Sequence, residues 1–248
     1  MQVDLHVHSN VSFDSKIKIG ILLKKMKGIG LEGIAFTDHD SNAGSLKARE
    51  LAKKYDVKVF SGVEITTDSG HILAYGIYDK PPFRKSVAVT IDWIHDQGGI
   101  AVCAHPFRKS SPSLEEKVYD HKFDAIELNG RCRESINKAA ELAARVLHLP
   151  LIGGSDAHYI QAVGRIYTEF YSDITNDDEL IKAIKTGQCE AKYREPIRLK
   201  AELIAPIPHE ELNIMDMIKE KKEPILPIIQ ATAGQKAQFF DSQPSETK

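Results

Sequence analysis

Apolar positions along the chain switch repeatedly between a period of two and a helical period, and the switches mark out a long series of alternating elements. VDLHVHS (3–9) reads as a strand. IGILLKKMKGIG (19–30) carries apolar residues at helical spacing and ends at glycines, and EGIAFTDHD (32–40) predicts a second strand. The pattern continues with a helix over 43–56, a strand over 57–65 (VKVFSGVEI), a strand over 71–78 (HILAYGIY), a helix over 87–99 and a buried strand, IAVCAHP, over 100–106. A shorter helical piece spans 114–121. Beyond it lie the strand AIELNG (125–130), a helix over 134–149, the strand LIGGSDAH (151–158), the strand IYTEFYS (166–172) and a helix over 177–187. Alternation of this kind predicts an α/β domain with a mainly parallel sheet, open or closed into a barrel.

The polar residues fall at particular places in this pattern. His6 and His8 close the first strand, Asp38 and His39 the second, and Glu64 the third. His105, then Glu127 and Asn129, and finally Asp156 and His158 close later ones. The C-terminal edge of a parallel sheet is where catalytic loops converge, so these distant positions are expected at one mouth. His-x-His in a strand aims both rings to one side, which suits a metal ion, although for an isolated pair two half-exposed strand histidines are the favoured reading. SDAH repeats the two-residue spacing with Asp156 and His158. Glu64 ends an apolar strand, where a carboxylate is costly unless paired or metal-bound.

Other polar residues have plainer readings. Asp40 is expected to cap the following helix and Asp38 to serve a turn. His95 sits near a helix C-terminus, where a cation favours the dipole. His121, His148 and His209 have no partner motif, and His71 alone is unremarkable. Cys103 lies among apolar residues and is expected to be a buried thiol.

Composition narrows the function classes. The 248 residues are 42% hydrophobic, enough for a normal core, and the formal charge is −2, so no global field would draw in a polynucleotide or an anionic membrane. Three widely spaced cysteines, Cys103, Cys132 and Cys189, argue against a disulfide framework or a thiolate zinc site and fit a reducing compartment. No basic-then-apolar leader opens the sequence and no apolar run approaches the ~20 residues that span a bilayer. A cytoplasmic protein without membrane contact is expected.

Taken in order, HVHS, Asp14, the TDHD turn with His39, GVE with Glu64, His71 in GHILAYG, AHP with His105 and GSDAH with Asp156 and His158 resemble the PHP (polymerase and histidinol phosphatase) superfamily. The resemblance covers about residues 1–165. It implies a distorted (β/α)7 TIM-like barrel with the metal site at the C-terminal ends of the strands, and hydrolysis of phosphoesters. A domain over 1–200 is expected, followed by a partly disordered C-terminal extension over 201–248, whose 225–229 and 239–240 apolar residues are expected to dock in cis.

Carried over residue by residue, the resemblance assigns His6, His8, Glu64 and Asp156 to a first metal. Glu64 would bridge to a second that also takes His71 and His105, and Asp14, His39 and His158 would hold a third. Two to three divalent ions are implied, of Zn, Mn or Fe, since mixed imidazole and carboxylate ligands suit all three. Glu64, Asp156 and His158 are the implied catalytic residues. Arg108, Arg131 and Arg165 follow strand-end motifs and are candidates to hold phosphate oxygens, because guanidinium matches phosphate geometry. Glu127 and Asn129 are candidates to orient ligands. Only a short link separates His71 from His105, where some family members insert an extra domain, so a less covered site is expected. The favoured substrate is a small phosphomonoester or nucleotide. Oligonucleotide ends, a non-catalytic metal-binding accessory module and an amidohydrolase-type barrel are the alternatives, and the AHP, GVE and SDAH set favours the PHP reading over the last.

Overall fold

Ten strands and five α-helices alternate within residues 1–194, the part of the chain that the computed structural model describes. In chain order they are β1 (Gln2–Val7), α1 (Ile19–Ile29), β2 (Gly33–Phe36), α2 (Ala43–Ala52), β3 (Lys58–Phe60), β4 (Gly62–Thr66), β5 (His71–Tyr75), α3 (Val87–Asp96), β6 (Ile100–Cys103), β7 (Ala125–Asn129), α4 (Glu134–Leu147), β8 (Leu151–Gly154), β9 (Ile166–Phe170), α5 (Asp177–Lys185) and β10 (Cys189–Tyr193). The expected extension over 201–248, and His209 with it, lies outside the described residues.

The strands form two five-stranded sheets, ordered β10-β9-β1-β2-β3 and β4-β5-β6-β7-β8. The fold is α/β, as the alternation predicts, but both sheets are mixed rather than mainly parallel. β1-β2-β3 and β6-β7-β8 run parallel, whereas β4-β5-β6 and β1-β9-β10 run antiparallel. One cause is connection length: only residues 67–70 join β4 to β5, too few for the crossover that a parallel pair needs. The Thr67 hydroxyl donates to the Gly70 carbonyl (2.6 Å) and accepts from the Gly70 N–H (3.1 Å), closing that turn.

Two other expectations need correction. The segment 57–65 is not one strand; it breaks at Ser61 into β3 and β4, which belong to different sheets. The Ser61 N–H leaves the ladder for Asp177 Oδ1 (2.9 Å), and a side chain at Gly62 would press within 3.0 Å of Thr37. The helical piece expected over 114–121 is a 3-10 turn over Glu115–Asp120, and β10 has no counterpart among the predicted elements.

Buried apolar clusters hold the elements together. Val3, Leu5, Ala35 and Phe60 of the first sheet meet Leu73, Tyr75, Val102 and Ile152 of the second, with Leu180 and Ile184 of α5. On the other side of the first sheet, Val7, Ile34 and Phe36 pack on Leu22, Leu23 and Met26 of α1. β1 thus changes face along its length, and its register against β2 shifts between Asp4 and Val7. Such a bulge re-aims side chains, here just before His6 and His8. Tyr75 spans the sheets by donating its hydroxyl to the Leu5 carbonyl (2.8 Å). Isolated parallel bridges join Val7 to Ala157 and His39 to Glu64, so the two sheets meet at the strand ends that carry the polar residues.

Candidate metal centre

The side chains at these strand ends converge on Glu64, which is buried in the middle of β4 rather than closing a strand. Its two oxygens face different imidazoles. Oε1 lies 2.8 Å from His71 Nδ1 and 2.9 Å from His105 Nε2. Oε2 lies 3.2 Å from both His6 Nε2 and His8 Nε2, and 3.3 Å from His39 Nδ1.

Asp156 closes the other side. Its Oδ1 sits 3.3 Å from His8 Nε2 and 3.6 Å from His6 Nε2, while Oδ2 accepts from Arg108 Nη1 and from Asn129 Nδ2 (3.2 Å). Further out, Asp14 Oδ2 lies 2.8 Å from His158 Nε2 and 3.5 Å from His39 Nε2. The structure therefore brings together all nine ligand candidates: His6, His8, Asp14, His39, Glu64, His71, His105, Asp156 and His158.

Three sets of ligand atoms are close enough to share an ion: His6, His8 and Glu64; His39, Glu64 and His71; and His8, Asp14, His39 and His158. His39 thus reaches toward Glu64 as well as toward Asp14, and His8 stands between two sets. The donor chemistry fits cations. His6 Nε2 and His8 Nε2 face each other at 3.1 Å, a contact that one proton or one ion must mediate. His71 Nδ1 is buried and, despite its proximity to Glu64, is not oriented for a hydrogen bond. Ligand atoms about 2.1 Å from a shared ion sit roughly 3.0–3.5 Å from each other, the range of most separations here.

Electrostatics follow from burial and close charges. Burial opposes the charged form of Glu64, but His6, His71 and His105 outweigh it and hold the carboxyl well below its ordinary range. Burial likewise works against the charge on Asp156, and His6, His8 and Arg108 overcome it. His6 is held well above its usual value because Glu127, Asp156 and Glu64 outweigh its desolvation. Burial dominates at His39 and His105, both of which are pushed down.

A second layer fixes this constellation. The buried Glu127 takes His6 Nδ1 on Oε1 (2.6 Å), and on Oε2 the His105 N–H (2.9 Å) and Asn129 Nδ2 (3.1 Å). His105 and Asp156 hold positive φ, 30° and 53°, uncommon for residues with a side chain and typical of strained functional positions.

The two aspartates expected in ordinary turn and cap roles do more than that. Asp38 is fully buried and accepts from the N–H (2.6 Å) and hydroxyl (2.7 Å) of Ser9 and the N–H (3.2 Å) and hydroxyl (2.9 Å) of Ser12, clamping the loop that carries Asp14. Asp40 does not cap α2; it accepts from the Thr66 N–H (2.7 Å) and hydroxyl (2.8 Å), tying the β2 loop to β4. The signal for Glu127 was the same as for Glu64, an acid inside an apolar strand. For Asp38 it was the paired serines of HSNVS, whose hydroxyls need an acceptor.

The three arginines part company. Arg108 is only 8% exposed, and its Nη1 is engaged by Asp156 Oδ2. Arg165 lies over the Tyr159 ring, 5.7 Å from its centroid. Arg131 alone of the three faces the cluster from solvent: its side chain is 51% exposed, with Nη1 3.3 Å from His158 Nδ1 and 3.8 Å from Asp156 Oδ1. His95 pairs with Asp124 (2.8 Å), His148 ends α4, and Cys103 is a buried thiol. No helix among the described residues is long and apolar enough to cross a membrane.

Comparison with known proteins points to the same family. A family model described as PHP-associated matches residues 134–189. The chain is 30% identical over 161 residues to the uncharacterized protein MJ1587 of Methanocaldococcus jannaschii, covering 60% of this chain and 94% of that protein. Over 85 residues, 32% of this chain, it is 38% identical to phosphoribosyl 1,2-cyclic phosphate 1,2-diphosphodiesterase of Eggerthella lenta, covering 32% of that enzyme. Over the same length it is 40% identical to the 5'-3' exoribonuclease Rnm of Salmonella typhimurium, covering 29% of it. In fold it is similar to a two-domain protein of Bacteroides vulgatus containing a predicted PHP-like metal-dependent phosphoesterase. The TM-score is 0.66 at 21% identity, and the match covers 79% of this chain and 65% of that one.

Proposed function

Because the chain belongs to the PHP superfamily of metal-dependent phosphoesterases, hydrolases of phosphoric ester bonds, we propose that it hydrolyses small phosphomonoesters, nucleotides among them. We read the two joined sheets as the distorted barrel of that superfamily, with residues 1–200 forming the catalytic domain. The observation that carries the reading is the division of Glu64: one oxygen serves His71 and His105, the other His6, His8 and His39. A carboxylate divided in this way would be shared between two ions.

His6, His8, Glu64 and Asp156 would hold one divalent ion, Glu64, His71 and His105 a second, and Asp14, His39 and His158 a third. When bound, such ions supply Lewis acidity toward phosphoryl oxygens and acidify water. The chain's own groups do the remainder. Asp156 presents Oδ1 inward because Arg108 and Asn129 hold Oδ2. Arg131, free on its solvent side, binds an outer phosphate oxygen. His158 stands between Asp14 and Arg131, so the guanidinium would border the ligands of the outer ion.

A panel of phosphomonoesters, nucleotides, oligoribonucleotides and amides, offered to protein loaded in turn with Zn, Mn and Fe, tests this. Release of inorganic phosphate from the small esters is expected. Activity confined to oligonucleotide ends would replace the small-substrate reading with an exonuclease one. Bound metal with no hydrolysis would make the domain a non-catalytic module.

A further inference from the structure

We propose that Phe13 is a stacking platform for the aromatic ring of the substrate, making the preferred phosphoester one whose alcohol portion carries a planar base. The inference rests on the phosphoesterase reading of the metal centre and assigns it a second subsite.

Phe13 is 91% exposed, the highest value among the exposed large hydrophobic side chains of the described residues. A phenyl ring left in water forgoes roughly 2 kcal/mol of burial, so its position invites a ligand. Its neighbours define which one. The ring leans on His39, with centroids 5.7 Å apart and planes 24° from parallel, leaving its other face in solvent. Asp14, the next residue, belongs to the outer set of metal-ligand candidates with His39 and His158.

The loop does not put Phe13 there by slack. Asp38 accepts four hydrogen bonds from Ser9 and Ser12, immediately before Phe13, and Ser15, just after Asp14, donates its hydroxyl to the His8 carbonyl (2.7 Å). A loop braced on both sides of Phe13 fixes the backbone that carries the ring, which lowers the entropy lost when the ring stacks.

Arg131 lies on the other side of the same group. Its Nη1 is 3.3 Å from His158 Nδ1, His158 Nε2 is 2.8 Å from Asp14 Oδ2, and Asp14 Oδ2 is 3.5 Å from His39 Nε2. A cation for phosphate and an apolar ring therefore flank one imidazole–carboxylate row. A nucleoside monophosphate presents the matching pair, an anion at one end and a flat π-face at the other. Aromatic stacking tolerates any base, so this contact selects for a base without selecting its identity.

The test uses the metal-loaded full chain, with adenosine 5'-monophosphate and glycerol phosphate as the two substrates. In F13A the ratio of kcat/KM for the nucleotide to that for glycerol phosphate should fall about tenfold, within the usual range for loss of one base stack. In F13W it should return to at least the parent value. A ratio within twofold of the parent in F13A overturns the proposal. A binding readout separates this from the fate of the phosphoesterase reading. The chain has one native tryptophan, Trp93, so adenosine monophosphate should quench a second emission component in F13W even where neither ester is hydrolysed. No added quench over the parent, with metal content intact, overturns the stacking role. Equal quench by ribose 5-phosphate does so as well.

Discussion

His6 is gripped from behind by Glu127: its Nδ1 lies 2.6 Å from Glu127 Oε1, and both side chains are wholly buried. An ionised carboxylate only accepts, so this contact keeps a proton on Nδ1 and leaves Nε2, aimed at His8, Glu64 and Asp156, as the nitrogen that would give up its proton to a cation.

Glu127→Gln should consequently weaken metal binding about 10- to 100-fold. The amide cannot serve His6, the His105 N–H and Asn129 as three donors at once, since one of its two heads is itself a donor. Competition with a chelating dye reads the affinity. Parental affinity in the variant would show that the carboxylate is not the orienting group.

Protons should leave as metal enters. In the metal-free protein, burial opposes the charge on His8, but hydrogen bonds to Asp156 and Glu64 outweigh it and its pKa rises to about 9. A folded value above the unfolded one of about 6.5 means that the stabilisation is fully present below pH 6.5 and is lost as the pH rises through about 9. The metal-free protein should therefore lose thermal stability across that interval. An ion must displace this proton near pH 7, so affinity should rise with pH. Titration calorimetry in buffers of unlike ionisation heat measures the released protons; identical heats in all buffers would contradict the expected release.

Most of the candidate metal centre was legible because most of its residues close predicted strands, where period-two patterning and apolar context isolate each polar residue; Asp14 and His71 came only with the family resemblance. Asp156 and His158 repeat the spacing of His6 and His8, and Glu64 stands out in an apolar strand. The supporting shell was less legible. Asp38 and Asp40 have the local sequence of turn residues, and only the pairing of Asp38 with Ser9 and Ser12, or of Asp40 with Thr66, reveals what they brace. In the fold, the alternation predicted α/β layering but not direction. Strand direction depends on connection length and on breaks such as Ser61, whose N–H is drawn to Asp177, 116 residues away in sequence. β10 pairs along its whole length with β9 at a sheet edge, and its CEAKY sequence carries too few apolar residues to announce a strand.

Glu64→Gln should cost the protein more than one ion per chain, because one residue serves both imidazole groups. Loss of a terminal ligand such as His71 should cost one at most. Elemental analysis of both variants after identical reconstitution makes the comparison. Equal losses would argue that Glu64 does not bridge.

The outer ligand set should be separable from the inner one. Gly44 of α2 packs against Asp38 so closely that a Cβ there would overlap Oδ2, and it would also approach Ser9 Oγ to 2.8 Å. Gly44→Ala must therefore shift the carboxylate that clamps residues 9–12 and, with it, the position of Asp14. His6 and His105 rest instead on Glu127, and Glu64 and His71 on the β4-β5 ladder, although the backbone of Glu64 also bonds to Asp38 and Asp40. Overpacking of this kind typically costs 1–3 kcal/mol, so the variant should fold with a lowered Tm. It should retain the ions at Glu64 while losing the one shared by Asp14, His39 and His158. Metal stoichiometry beside a melting curve distinguishes the outcomes: loss of every ion together would show that the three sets form one inseparable unit.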